Sequence, residues 1–140
     1  MNNADAVLLG SFDIGAENVL LYATTSAGGE FITNPAPSMW IGVGGDWDLT
    51  YQTLLHEAAE FAALRLGARF TPDDDMSADC GAFLFMMDHA KFSNLCGRVG
   101  RFMISANPYL RKAWESFHNP RNKGKLTAKL NMSADSPRGR

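Results

Sequence analysis

Cysteine is scarce in this chain, and its two copies, Cys80 and Cys96, stand sixteen residues apart. That spacing matches neither a zinc knuckle nor a CxxC pair, which argues against a disulfide framework or a cysteine-ligated metal; two buried thiols are expected instead. Long apolar runs are also missing, since no stretch approaches the roughly 18 residues of a membrane span. Met1 to Gly10 lacks the basic segment that opens a secretory signal. The expected location is therefore cytoplasmic, the host-cell cytoplasm if the chain is viral, with no membrane partner. Phosphate-cradling glycine patterns are absent too: Gly42 to Gly45 reads GVGG, without GxGxxG or Walker-type spacing. Positive charge is nearly absent from the first ninety residues, where 13 acidic side chains face only Arg65 and Arg69. Residues 91 to 140 reverse this, with 11 Lys or Arg against Glu115 and Asp135. The overall charge of -2 conceals that asymmetry. Such an imbalance can bind the two halves together, favour self-association, or present an electropositive face to an acidic protein or to nucleic acid.

What is present suits one ordinary domain. At 140 residues, 46% hydrophobic and 20% charged, the chain can bury a core without metal or disulfide support. Ala6 to Phe12 and Asn18 to Thr24 are apolar and β-favouring around the turn-like DIGAE, and so predict a hairpin. Glu30 to Thr33 is a further short strand; Pro35 and Pro37 then interrupt, and Met39 to Val43 resumes. Asp46 or Asp48 caps a long helix, Leu49 to Leu66, which Gly67 terminates in left-handed geometry. Gly81 to Met87 has strand length and composition. Asp88 caps a second helix from His89 to about Ala106, and Asn107-Pro108 begins a third that ends by Asn119-Pro120. The expected fold is α+β: a small, mostly antiparallel sheet packed on the long helix, followed by a strand and two C-terminal helices. Residues 1–120 form the domain, and 121–140 a basic, flexible tail.

Leu49 to Leu66 carries the one constellation with chemical potential. Gln52, Thr53, His56, Glu57 and Glu60 fall within an arc of roughly 140° at 100° per residue. His56 and Glu60, four apart, project to one point, and two or three imidazoles or carboxylates converging at about 2 Å hold a metal ion. The His56-Glu57 pair followed by Glu60 resembles the HExxH helix of zincin metallopeptidases, with Glu60 in place of the second histidine. The resemblance spans Trp40 to His89. It implies a metal-dependent hydrolase or a degenerate relative, with His56 and Glu60 as ligands and Glu57 as the general base. His89, after the Gly81 to Met87 strand, is the best-placed third ligand, ahead of Asp88 and the acidic run Asp73 to Asp79. Two carboxylates beside one imidazole suit manganese or iron as well as zinc. In zincins the sheet edge beside the motif helix binds extended peptide, a place the segment Ser38 to Gly44 would take. The same polar arc is equally what the solvent side of any amphipathic helix looks like.

The second function class rests on the basic half. Arg98, Arg101, Arg111 and Lys112, with Arg121, Lys123, Lys125 and Lys129 beyond, offer contacts to a protein partner or, nonspecifically, to nucleic acid phosphates. No base-reading motif accompanies them. On this reading the protein is a noncatalytic interaction module. Its overall style, small, single-domain and rich in small residues, resembles accessory proteins of bacteriophages and mobile elements, including inhibitors of host defence. His118 near a helix C-terminus is a dipole partner. Phe83, Phe85, Phe92, Phe102, Trp114 and Phe117 sit at spacings that core packing explains. Trp47 serves as a helix-entry staple or lines a pocket.

Overall fold

Strict alternation in Glu17–Thr24 turns Val19, Leu21 and Ala23 inward, and the two-residue loop Gly15-Ala16 folds this strand back on the one before it. The computed structural model describes residues 5–70 and 83–121. Its elements are β1 (Val7–Ile14), β2 (Glu17–Thr24), β3 (Gly29–Ile32), β4 (Ser38–Gly42), α1 (Trp47–Arg65), β5 (Arg69–Phe70), β6 (Leu84–Phe85) and α2 (His89–His118). The first four strands form a sheet in the order β1-β2-β4-β3. β1 pairs antiparallel with β2 and β3 antiparallel with β4, while β4 runs parallel to β2. The α+β class and the mostly antiparallel sheet thus match expectation. The placement of Ser38 to Gly44 does not: β4 is interior and buried along its whole length, and β3 forms the edge.

α1 packs on β3 and β4, α2 on β1, and the two helices pack on each other. Val19, Leu21, Met39, Ile41, Leu54, Phe61, Phe102 and Leu110 fill the space between, all at 0% exposure. Each contributes roughly 1.5–3 kcal/mol by leaving water. Asp46 caps α1, its carboxylate accepting from the Leu49 N–H at 2.8 Å. The helix stops as its sequence predicts: Gly67 adopts φ 66°, and the Ala68 N–H donates to the Ala63 carbonyl at 2.9 Å.

Three expectations need correction. The Gly81 to Met87 strand is reduced among the described residues to Leu84–Phe85, which pairs with Arg69–Phe70 in a separate two-stranded ribbon rather than joining the main sheet. The two C-terminal helices are a single 30-residue helix, capped as predicted by Asp88, whose carboxylate accepts from Lys91 N–H at 2.8 Å. Pro108 lies inside that helix. Its missing hydrogen bond and ring clash cost about 3 kcal/mol. Val99, Phe102, Met103, Ala106 and Leu110 carry one buried stripe across the same point, and that burial is worth several times the penalty. Finally, Cys96 is exposed, as are Phe92 on the same helix and Phe85 on β6, so spacing alone did not place them in the core. Cys80, the acidic run Asp73 to Asp79 and the tail beyond Arg121 lie outside the described residues.

The far end of α2 is tied down. Trp114 Nε1–H donates to the Gly45 carbonyl at 2.9 Å, and His118 Nε2 meets the Val43 carbonyl at 2.9 Å, so that this ring nitrogen carries the proton. His118 therefore holds the segment after β4 as well as standing in the last turn of its own helix. Trp47 packs edge-on against Trp114 at 5.9 Å. Neither helix among the described residues is long and apolar enough to cross a membrane.

Candidate functional site

One turn of α1 brings His56 and Glu60 together as the four-residue spacing predicts, with Nε2 to Oε2 at 3.2 Å. Glu60 has a second partner that the spacing could not show: Arg69 of β5 places Nε 3.3 Å from its other oxygen. Arg69 is held in turn over the Phe83 ring, 3.6 Å from its centroid. The Glu60 and Arg69 side chains are only 15% and 18% exposed, whereas that of His56 is 69% exposed. The Arg69 contact is thus the better shielded of the two.

Glu57 departs most from its expected place on a solvent arc. It is 8% exposed, because it lies on the flank of α1 that the start of β3 covers. The approach is close: a Cβ on Gly29 would stand 3.0 Å from Glu57 Cγ and 2.7 Å from Thr53 Cγ2. Burial pushes the Glu57 carboxyl above its ordinary 4.5; nearby His56 pulls it down, Glu60 and Glu30 push it further up, and Arg69 pulls it down. An open depression of about 400 Å³ lies here, lined by Gly28, Gly29, Gln52, Thr53, His56 and Glu57. His56 also borders a second, apolar recess of about 290 Å³ formed with Ala59, Ala63, Phe85, Met87 and Leu95. Chemically this is an imidazole next to a carboxyl with raised proton affinity, an arrangement able to exchange protons with a bound molecule.

The third expected ligand does not join them. His89 is exposed at the first position of α2, and among the described residues no group of three or more His, Cys, Asp or Glu side chains converges as a metal site. Asp88 is occupied in capping α2. Glu60 is shared between an imidazole and a guanidinium, so an ion at this place would compete with Arg69 for it.

The basic residues divide between two places. Arg111 lies over both Trp47 and Trp114, 4.7 and 5.0 Å from their centroids, and its Nε pairs with Glu115 at 2.7 Å. It is spent on structure. Arg98, Arg101 and Lys112 share with Lys91 an arc of about 80° along α2, spanning about 30 Å. Glu115, the one acidic residue in the helix, is paired off with Arg111 beside this arc. Arg98 and Arg101 further line a notch of about 400 Å³ against the β1–β2 turn, with Ser11, Asp13, Asn18 and Ser105. There Gly15, at φ 65° in the hairpin loop, leaves space that a side chain would close: a Cβ would fall 2.6 Å from an Arg98 guanidinium nitrogen. Lys91 could have been found from its seven-residue spacing to Arg98. Ser11, Gly15 and Asn18 reach this site only through the packing of α2 on β1, which no local pattern announces.

Compared with known proteins, the chain matches no family model, no curated protein and no solved structure, so its own residues carry the functional argument.

Proposed function

We propose that this is a noncatalytic interaction protein that docks on an acidic partner through the basic face of α2. The observation that carries this reading is the row of Lys91, Arg98, Arg101 and Lys112 on one side of a 30-residue helix whose single acid is paired with Arg111. A row of that length on one helix holds the backbone positions of its cations in fixed register and speeds encounter with an oppositely charged surface. The test is retention on a heparin matrix. Reversing all four residues to Glu should lower the eluting salt concentration markedly with the circular dichroism spectrum unchanged; elution at the same salt refutes the reading.

A second reading keeps the zincin-like resemblance: a small metal-binding protein, a hydrolase or a degenerate relative, with His56, Glu60 and His89 as ligands and Glu57 as base. It draws on the meeting of His56 and Glu60 beside the buried Glu57. It also requires an ion to compete with Arg69 for Glu60. Elemental analysis of untagged protein decides it. One zinc, manganese or iron per chain, lost in His56→Ala, supports the reading; no metal in the protein after incubation with each ion ends it.

A further inference from the structure

We infer that the notch between the β1–β2 turn and α2 seats a backbone phosphate of a single-stranded nucleic acid, with Tyr109 stacking on an adjacent base. This rests on the reading of α2 as the docking face and names the chemistry of its partner. Arg98 and Arg101 stand one helical turn apart on the notch wall, and among the described residues neither is ion-paired with a carboxylate. Arg98 is also oriented in advance. Its Nε donates to Asn94 Oδ1 at 2.7 Å, and its guanidinium packs over the bare backbone of Gly15 with Nη1 nearest the glycine, which fixes the plane of the group at the notch. A guanidinium fork matches two oxygens of a phosphate.

The charge of the site suits an anion. Asp13 also lines the notch, its Oδ1 accepting from the Asn18 amide at 3.0 Å. Two guanidinium groups against one carboxylate leave one net positive charge, which a phosphodiester balances. The hydroxyls of Ser11 and Ser105 supply neutral polar lining.

Aromatic surface sits beside the phosphate position. Tyr109 is 54% exposed, and its ring packs against Phe12, a residue of the notch, with centroids 5.2 Å apart. Phe12 is braced from behind by Phe102 at 6.3 Å. A tyrosine supported in this way and open to solvent offers a face to an unpaired base, whereas a duplex keeps its base faces stacked internally. Lys91 and Lys112, toward either end of the α2 row, then meet neighbouring phosphates.

The experiment is fluorescence anisotropy with a labelled oligothymidylate across a salt series, and with labelled polyglutamate as the competing polyanion. The wild type should bind the oligonucleotide more tightly than polyglutamate. Arg98→Ala and Arg101→Ala should each weaken oligonucleotide binding about tenfold and reduce the slope of log affinity against log salt by about 0.7. Arg98→Lys, which keeps the charge but loses the fork, should restore the slope and only part of the affinity. Tyr109→Ala should weaken binding about tenfold with the slope unchanged. Unaltered affinity in both arginine variants overturns the inference. Salt-sensitive binding of polyglutamate alone also overturns it but leaves the docking face standing; binding of neither polymer removes both.

Discussion

Removing the carboxylate of Glu60 tests whether the polar side of α1 is an ion-pair network or a set of metal ligands. Glu60 and Arg69 lie 3.3 Å apart with little solvent between them and bulk water. At an effective dielectric of about 20 their attraction is roughly 5 kcal/mol. Desolvation of two partly buried groups offsets more than half of this, which leaves about 2 kcal/mol net. His56, largely in water, adds no more than about 0.5 kcal/mol through its own contact. Glu60→Gln should therefore destabilise the protein by about 2 kcal/mol, a fall in melting temperature of roughly 6–8 °C. Combined with Arg69→Met in a double-mutant cycle read by urea denaturation, the pair should show a coupling energy of about 1–2 kcal/mol. The Glu60–His56 cycle should give under about 0.5 kcal/mol. A Glu60–Arg69 coupling as small as that of an exposed pair refutes the reasoning. A destabilisation seen only when divalent metal is present would instead make Glu60 a ligand, since an ion that binds the folded state alone stabilises by mass action.

Glu57→Gln should raise the melting temperature at pH 7 and leave it unchanged near pH 4. Burial lifts the folded carboxyl above its unfolded 4.5, so the protonated form favours folding; that stability is complete below pH 4.5 and is lost as pH rises through the raised value. A lower melting temperature at pH 7, followed by differential scanning fluorimetry across this range, would contradict it. Trp114→Phe retains most of the packing but leaves the Gly45 carbonyl without its donor, and should cost about 1–1.5 kcal/mol in chemical denaturation. Pro108→Ala restores an N–H for the Ile104 carbonyl in mid-helix and should stabilise by about 1–3 kcal/mol, since Pro108 itself is exposed and packs little. Loss of stability there would mean that the proline geometry is needed.

The legible parts of the fold are those decided within a few residues. Asp46, Asp88 and Gly67 cap helices where expected because a cap is a contact between near neighbours. The alternation of Val19, Leu21 and Ala23, and the short loop at Gly15, predict the first hairpin for the same reason. Pro108 misled because its penalty is local while the burial that overrides it, of Phe102 and Leu110 against the sheet and α1, is not. The strand after Gly81 misled because aromatic composition marks apolar character and does not say which edge accepts the strand.

For the candidate sites, helical spacing alone determined that His56 meets Glu60 and that Arg98 and Arg101 share a face, since both follow from 3.6 residues per turn. The segregation of charge, acidic before residue 90 and basic after it, was likewise a property of the chain. Only tertiary structure decided that β3 covers Glu57, that Arg69 reaches Glu60, that Trp47 meets Arg111, and that the β1–β2 turn meets Arg98. Each of these joins residues whose separation along the chain exceeds any local period, and each depends on how the helices lie across the sheet, which side-chain volume and burial choose together.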